Sequence, residues 1–197
     1  MEILFLLVVL VVILLWLLVW GPQAREARIE REKRAAEEAA RRAEELAKLE
    51  AERNNLLKHI QKTVPDFILS ARLEFERQYK AGGGEGQFGQ EMSPLLCFGY
   101  RVGKTNGRIE RERHSILKYA MAADLNAMLP FLPASYRADW GDPLTIARFS
   151  RVYQHINNMA DLREGRRNFE VAVSHWRADA AWLRTQQLPL VQKFNAI

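Results

Sequence analysis

The alternation of apolar and polar positions divides the chain into three segments, and the first is almost entirely apolar. Residues 3–20 contain no charged, amide or hydroxyl side chain across eighteen consecutive positions. As a helix this run would measure about 27 Å, close to the hydrocarbon thickness of a bilayer. Trp16 and Trp20 stand at one end, where indole rings favour the headgroup boundary, and Gly21-Pro22 follows as a stop. The pattern predicts an N-terminal single transmembrane helix, with residues 1–22 as the anchor.

A cleaved signal peptide is the alternative interpretation of this run. It requires a basic leading region, a shorter apolar core and small residues at the cleavage site, whereas only Met1 and Glu2 precede the run. Arg25 and Arg28 open a cationic stretch just after it, and no Lys or Arg precedes it. Because cationic flanks mark the cytoplasmic side, we expect single-pass membrane localisation with the bulk of the chain in the cytoplasm. The Ala- and Arg-rich sequence suits a bacterial inner membrane, and the single Cys97 fits a reducing compartment.

The second segment, residues 23–62, is a charged stalk built from strong helix formers, with neither Gly nor Pro. Acid-first pairs four residues apart support a helix that needs no burial; they are Glu30–Arg34, Glu37–Arg41, Glu38–Arg42 and Glu44–Lys48. One heptad frame over residues 39–60 places apolar residues at five of seven core positions but puts Arg42 and Arg53 at the other two. A solitary helix and a short coiled coil that forms a homo-oligomer both remain open.

The third segment, residues 63–197, repeats apolar residues at helical spacing and predicts a small, mainly α cytoplasmic domain. We expect helices over about 65–79, 108–129, 142–165 and 166–186, with Asp142-Pro143 as the cap and first turn of the third. The glycines of residues 82–89 predict a loop. The run 95–102 is the one convincing strand-like stretch or, alternatively, an extended buried segment. The predicted fold class is therefore mainly α, with at most one short strand or hairpin.

The positive charge of the chain belongs to this third segment. The net charge is +5, and residues 23–58 are nearly balanced, with ten Lys and Arg against nine Glu. Five cations crowd the start of the predicted 108–129 helix, where phosphate would also meet helix N–H groups; they are Arg101, Lys104, Arg108, Arg111 and Arg113. They are candidates for binding an anion or nucleic acid. The alternative is a solvated helix face, because Glu110 and Glu112 dilute the positive field.

The same stretch contains a nuclease-like pattern. Tyr100 is followed by Val-Gly-Lys-Thr-Asn at 102–106, then by Arg111 eight residues after the glycine, and by His114. These fifteen or so residues resemble the second signature of the GIY-YIG nucleases, although Arg101 stands between the tyrosine and the valine. The resemblance implies that Tyr100, Arg111 and His114 position phosphate and water while a distant glutamate holds a metal. The sequence does not identify that glutamate.

Other polar residues do not form a recognisable catalytic set. The histidines lack metal-ligand spacing and one cysteine cannot complete a thiolate site, so we expect no metal and no cofactor. Asp161, Glu164 and Asp179 lie on predicted helices and are expected in ion pairs or caps. The sequence therefore favours a membrane-anchored interaction or scaffold module over an enzyme, with the lipid bilayer and a protein partner or second copy as its partners. A membrane-tethered nucleic-acid-binding protein and a GIY-YIG-like nuclease are the alternatives.

Overall fold

The described part of the chain is mainly helical. The computed structural model describes residues 2–82 and 93–195, and for residues 2–6 and 15–24 it describes the backbone helix alone. The helices are α1 (Glu2–Lys62), α2 (Asp66–Ala81), α3 (Pro94–Cys97), α4 (Glu110–Ala122), α5 (Leu125–Met128), α6 (Ala134–Ala138), α7 (Ile146–Asp161), α8 (Glu170–Trp182) and α9 (Leu188–Asn195), with a π-helical turn, Leu183–Gln187, joining the last two. The predicted mainly α class is confirmed.

α1 carries both the apolar run and the charged stalk. Its aliphatic side chains at 7–14 are all exposed, between 38% and 58%. Within the part of the chain whose side chains are described, no helix has an apolar stretch long enough to cross a bilayer. That part includes residues 7–14 of the predicted span, whereas Trp16 and Trp20 lie outside it. α1 continues through Gly21 and Pro22, so the helix does not end at the predicted end of the span. The strong helix formers that follow sustain it.

The charged stalk forms three of the four ion pairs that its spacing predicts; Glu37–Arg41 is not among them. Nitrogen–oxygen distances are 3.2 Å for Glu30–Arg34, 3.9 Å for Glu38–Arg42 and 2.7 Å for Glu44–Lys48. Arg25 and Arg28 are exposed, and Arg28 pairs with Glu32 at 3.4 Å. Because these side chains are mostly exposed, each pair contributes only a few tenths of a kcal/mol, about 0.3–0.5 for this spacing. The stalk is therefore stabilised locally, residue by residue, rather than by a core.

The chain divides into two compact units, Met1–Leu49 and Glu50–Ile197. The last turns of α1 belong to the second unit, where Ile60 is buried and Leu56 and Leu57 pack against the core. Arg53 fixes these turns through a hydrogen bond from its Nη2 to the Pro143 carbonyl at 2.7 Å. The predicted segment boundaries at 22 and 62 remain predictions.

The core of the second unit lies between α4, α7 and α8. Each helix contributes an apolar stripe, and the residues of this core that are 0% exposed include Ile116, Leu117, Met121, Val152, Ile156, Ala160 and, in the π-helical turn that follows α8, Leu183. The predicted stripes on α7 and α8 are thus the surfaces that pack together. Cys97 is 2% exposed in this core, and burial raises the pKa of its thiol to about 12.

The predicted strand is wrong, whereas the predicted burial of its first part is confirmed. Residues 94–97 form the single helical turn α3, and no described residue belongs to a strand. The hydroxyl oxygen of Ser93 accepts a hydrogen bond from the Leu96 amide at 3.3 Å, and Pro94 occupies the first position of the turn. A capping serine followed by proline favours helix initiation over a strand.

Helix boundaries differ from the prediction where local capping decides them. The predicted 108–129 helix ends at Ala122, and the side chain of Asp124 caps a new short helix, α5. The third predicted helix begins at Ile146, because Thr145 rather than Asp142 caps it. The predicted 166–186 helix begins at Glu170 and passes into the π-helical turn. Pro189 follows that turn. Because its ring would clash with the carbonyl oxygen of the residue four positions earlier, the backbone favours a wider, π-helical turn before it. The predicted glycine loop lies, after Gly82, outside the described residues.

Candidate binding site

The polar stretch from Gly99 to Arg108 folds into a closed loop on the surface of the second unit. Its ends are joined by a hydrogen bond from the Arg108 amide to the Arg101 carbonyl at 3.0 Å. A glycine is required at 107, because a Cβ atom there would lie 2.2 Å from the Gly103 carbonyl oxygen. The Gly103 amide donates to Nδ1 of His175 on α8 at 3.3 Å, which attaches the loop to that helix.

Asp179 of α8 binds this loop to α4. It is fully buried, and its Oδ2 accepts hydrogen bonds from the Tyr100 hydroxyl at 2.6 Å and from Arg113 Nε at 2.7 Å. Arg113 Nη2 donates to the other oxygen at 3.1 Å, and His114 Nε2 lies 3.3 Å from it. Burial, together with the Asp179 carboxylate, holds the pKa of Tyr100 well above its usual value. A bidentate arginine lowers the cost of burying a carboxylate, because it supplies both the counter-charge and two hydrogen bonds.

The two remaining residues of the nuclease-like pattern lie on one face of α4. His114 stacks on Trp182, with ring centroids 4.1 Å apart and planes 8° from parallel. Arg111 is exposed and lines a shallow groove with His114 and Trp182. The structure therefore places Tyr100 and His114 at the same carboxylate, and Arg111 beside His114 at the surface.

The five predicted anion-binding cations are divided between internal bonds and the surface. Arg108 donates to the Gly99 carbonyl at 2.8 Å, pairs with Glu112 at 3.3 Å and stacks on Phe67 at 4.8 Å. Arg113 is 3% exposed in the Asp179 cluster. The exposed members are Arg101, Lys104 and Arg111. Two of the five thus have structural roles, and three present charge to solvent.

A largely apolar cleft of about 370 Å³ opens beside the Asp179 cluster, between the 93–106 segment and helices α7 and α8; we call it the α7–α8 cleft. Its lining is Ser93, Leu96, Tyr100, Arg101, Val102, Asn106, His155, Ile156, Met159, Phe169, Ala172 and Trp176. Most of these side chains are aliphatic or aromatic. A concave apolar surface with a few polar groups is the usual form of a ligand site.

His155 and Arg163 set the electrostatics of this cleft. Burial, with a smaller effect from the nearby Arg151, lowers the pKa of His155 to about 4, so its imidazole is neutral at physiological pH. Arg163 lies over two lining rings, 5.6 Å from each of Phe169 and Trp176. Its Nη1 is also 3.6 Å from the sulfur of Met159. The cleft therefore presents a neutral imidazole inside and a guanidinium against its aromatic wall.

Sequence reasoning finds parts of this site. It predicts ion pairs for Asp179, Asp161 and Glu164, and all three form them: Asp179 binds Arg113, while Arg177 binds Asp161 at 2.6 Å and Glu164 at 2.9 Å. It does not identify the α7–α8 cleft, whose lining residues have the spacing of ordinary core positions. Groups of histidine, cysteine and acidic residues suited to a metal ion are not found among the described residues.

The chain matches no known family model, no curated protein and no solved structure.

Proposed function

We propose that this chain is a membrane-anchored helical interaction module, with its folded unit in the cytoplasm. The observation that carries the proposal is the exposed aliphatic surface at residues 7–14, which surrounds α1 on every side. A helix that is apolar all round is stable only when it is buried in protein or lipid. In the sequence the same apolar character extends over residues 3–20, a length suited to a bilayer.

The rest of the chain supports a role in contact rather than in chemistry. Residues 25–48 of the charged stalk are helical and exposed, so they would act as a spacer between the bilayer and the folded unit. Tyr100, one of the three residues of the nuclease alternative, is 8% exposed and bonded to Asp179. The exposed Arg101, Lys104 and Arg111, and the α7–α8 cleft, are the surfaces offered to a partner.

Carbonate extraction of membranes tests the anchor. The full chain, expressed in bacterial cells, should stay with the membrane pellet at alkaline pH and dissolve only in detergent. Replacing Leu10 and Ile13 together by arginine should release a large fraction, because each arginine near the centre of a span costs about 2.5–3.5 kcal/mol. The matched control combines Leu10→Ile with Ile13→Leu, which keeps both positions aliphatic, and should remain in the pellet. Release of the unaltered chain by carbonate alone would overturn the proposal.

The two alternatives give different results in solution. A nucleic-acid tether predicts DNA or RNA binding by the full chain that weakens steeply with salt and is lost when Lys104 and Arg101 are neutralised. The nuclease predicts metal-dependent cleavage that Arg111→Ala abolishes. We expect neither from the interaction module.

A further inference from the structure

We propose that the α7–α8 cleft binds a small carboxylate whose body is aromatic or alkyl. This inference goes beyond the proposed membrane-anchored function and does not depend on it. It follows from two properties of the cleft: its apolar surface remains partly uncovered, and the charged side chain among the described residues that line it, Arg101, is cationic.

The fold leaves part of the apolar surface of the cleft exposed to solvent. Leu96 and Phe169 at its rim are each 37% exposed, whereas Ile156 and Trp176 beneath them are 0% and 7% exposed. The floor is thus part of the core, and the rim leaves two large side chains in water. A ligand with a phenyl ring or short alkyl chain would cover this rim and bury apolar area on both sides. The volume, about 370 Å³, lies at the lower end of the range for small-molecule sites.

The charge of the cleft lining favours an anionic ligand over a cationic one. Of the described residues that line it, Arg101 is cationic and none is acidic. Guanidinium groups bind carboxylates through charge-assisted hydrogen bonds. An ammonium ligand of the same shape would meet positive potential and no counter-charge from this lining.

The polar atoms inside the cleft suit a carboxylate as well. His155 lines it as a neutral ring, which can donate one N–H without adding a buried charge. Asn106, also in the lining, is exposed and carries two amide donors. Together with Arg101 these groups give the lining three side chains that can donate hydrogen bonds to a carboxylate, while the apolar part of the ligand would rest on α7 and α8.

A matched series of three soluble probes tests the proposal on the full chain in mild detergent. The probes are 4-phenylbutyrate, 4-phenylbutan-1-ol and 4-phenylbutylamine, which share one body and differ in charge. With methionine methyl groups labelled with ¹³C, titration should move the Met159 signal, which lines the cleft, and leave that of Met121, which is 0% exposed in the core. The carboxylate should bind most tightly, the alcohol about tenfold more weakly, and the amine least.

Variants at the mouth of the cleft make the test specific. Arg101→Gln should reduce carboxylate affinity to near that of the alcohol, and Arg101→Glu should reverse the order so that the amine binds better than the acid. The matched control is Arg184→Gln, an exposed arginine outside the lining of the cleft, which should change neither. Equal affinities for the three probes, equal shifts at Met159 and Met121, or an unchanged order in Arg101→Glu would overturn the proposal. Because the signal is local to Met159, these results are independent of whether the chain is anchored.

Discussion

Asp179 and Arg148 show how this small core accommodates charge. The Asp179 carboxylate is shared by Tyr100 and Arg113, with His114 close by. The guanidinium of Arg148 donates instead to four backbone carbonyls, at 2.6–3.2 Å; they are those of Ala120, Ala123, Trp140 and Gly141. Burial lowers the pKa of Arg148 to about 10, which leaves it charged at neutral pH.

Removing the charge of Asp179 should destabilise the folded unit strongly. Asp179→Asn leaves Arg113 buried without a counter-charge, and we expect the free energy of unfolding to fall by about 3 kcal/mol or more. The measurement is urea denaturation of the full chain in mild detergent, followed by near-ultraviolet circular dichroism.

Asp161→Asn is the matched control, because Asp161 pairs with Arg177 on the surface and its side chain is 58% exposed. Screening by solvent limits such a pair to about 0–1 kcal/mol. Similar losses for both variants would mean that burial does not strengthen the contribution of the Asp179 cluster.

The sequence predicts the type of interaction at these residues but not the partner. It predicts an ion pair for Asp179, yet Arg113 lies 66 positions away and only the packing of α4 on α8 brings the two together. Arg148 has the same local sequence signal as any arginine on an amphipathic helix. Its burial depends on the turn at 140–141, which exposes carbonyls that need donors.

At the scale of elements, the start of α7 offers a direct comparison of two candidate caps. The Thr145 hydroxyl accepts a hydrogen bond from the Arg148 amide at 3.2 Å, whereas the carbonyl of Asp142 accepts one from that hydroxyl at 2.7 Å. We expect Thr145→Ala to lower the free energy of unfolding by about 1 kcal/mol. Asp142→Ala should change it by less than about 0.5 kcal/mol, as for a surface residue outside a cap.

The same denaturation measurement decides between the two caps. A larger loss for Asp142→Ala than for Thr145→Ala would restore the boundary that the Asp-Pro dipeptide predicts. Equal and negligible losses would mean that α7 is stabilised by its packing on α8 alone.

The spacing of apolar residues in the sequence predicts where the helices lie, but it does not predict where they end. The predicted apolar stripes of α2, α7 and α8 are observed, because a stripe must be buried somewhere in a unit of this size. The run 95–102 resembles a strand because a short apolar run has no period of its own, and the cap at Ser93 decides its structure. The α7–α8 cleft escapes prediction for a related reason. Met159 and Trp176 have core spacing, and the cleft that they line depends on where the 93–106 segment lies.

At the scale of the whole molecule, the two units differ in how they are stabilised. The second unit has a core from Ile60 to Phe194, whereas the charged stalk at residues 25–48 exposes every side chain. Isolated helices without tertiary packing open readily. We therefore expect amides of residues 25–48 to exchange with deuterium much faster than those of α4 and α7, as measured by mass spectrometry on the full chain.

Self-association of the stalk would give a different exchange pattern. If residues 46–60 paired with a second copy, protection of the stalk would rise with protein concentration, while that of α4 would not. Protection of residues 25–48 equal to that of α4 at every concentration would contradict the expectation.

The environment of Cys97 has a practical consequence for such experiments. Thiol reagents attack the thiolate, and a thiol that ionises near pH 12 inside a packed core supplies almost none at neutral pH. Since the chain has no other cysteine, a new one introduced on the stalk or at the mouth of the cleft would take up a spin label or fluorophore alone. Distances between labelled copies are thereby open to spectroscopy without first removing the native sulfur.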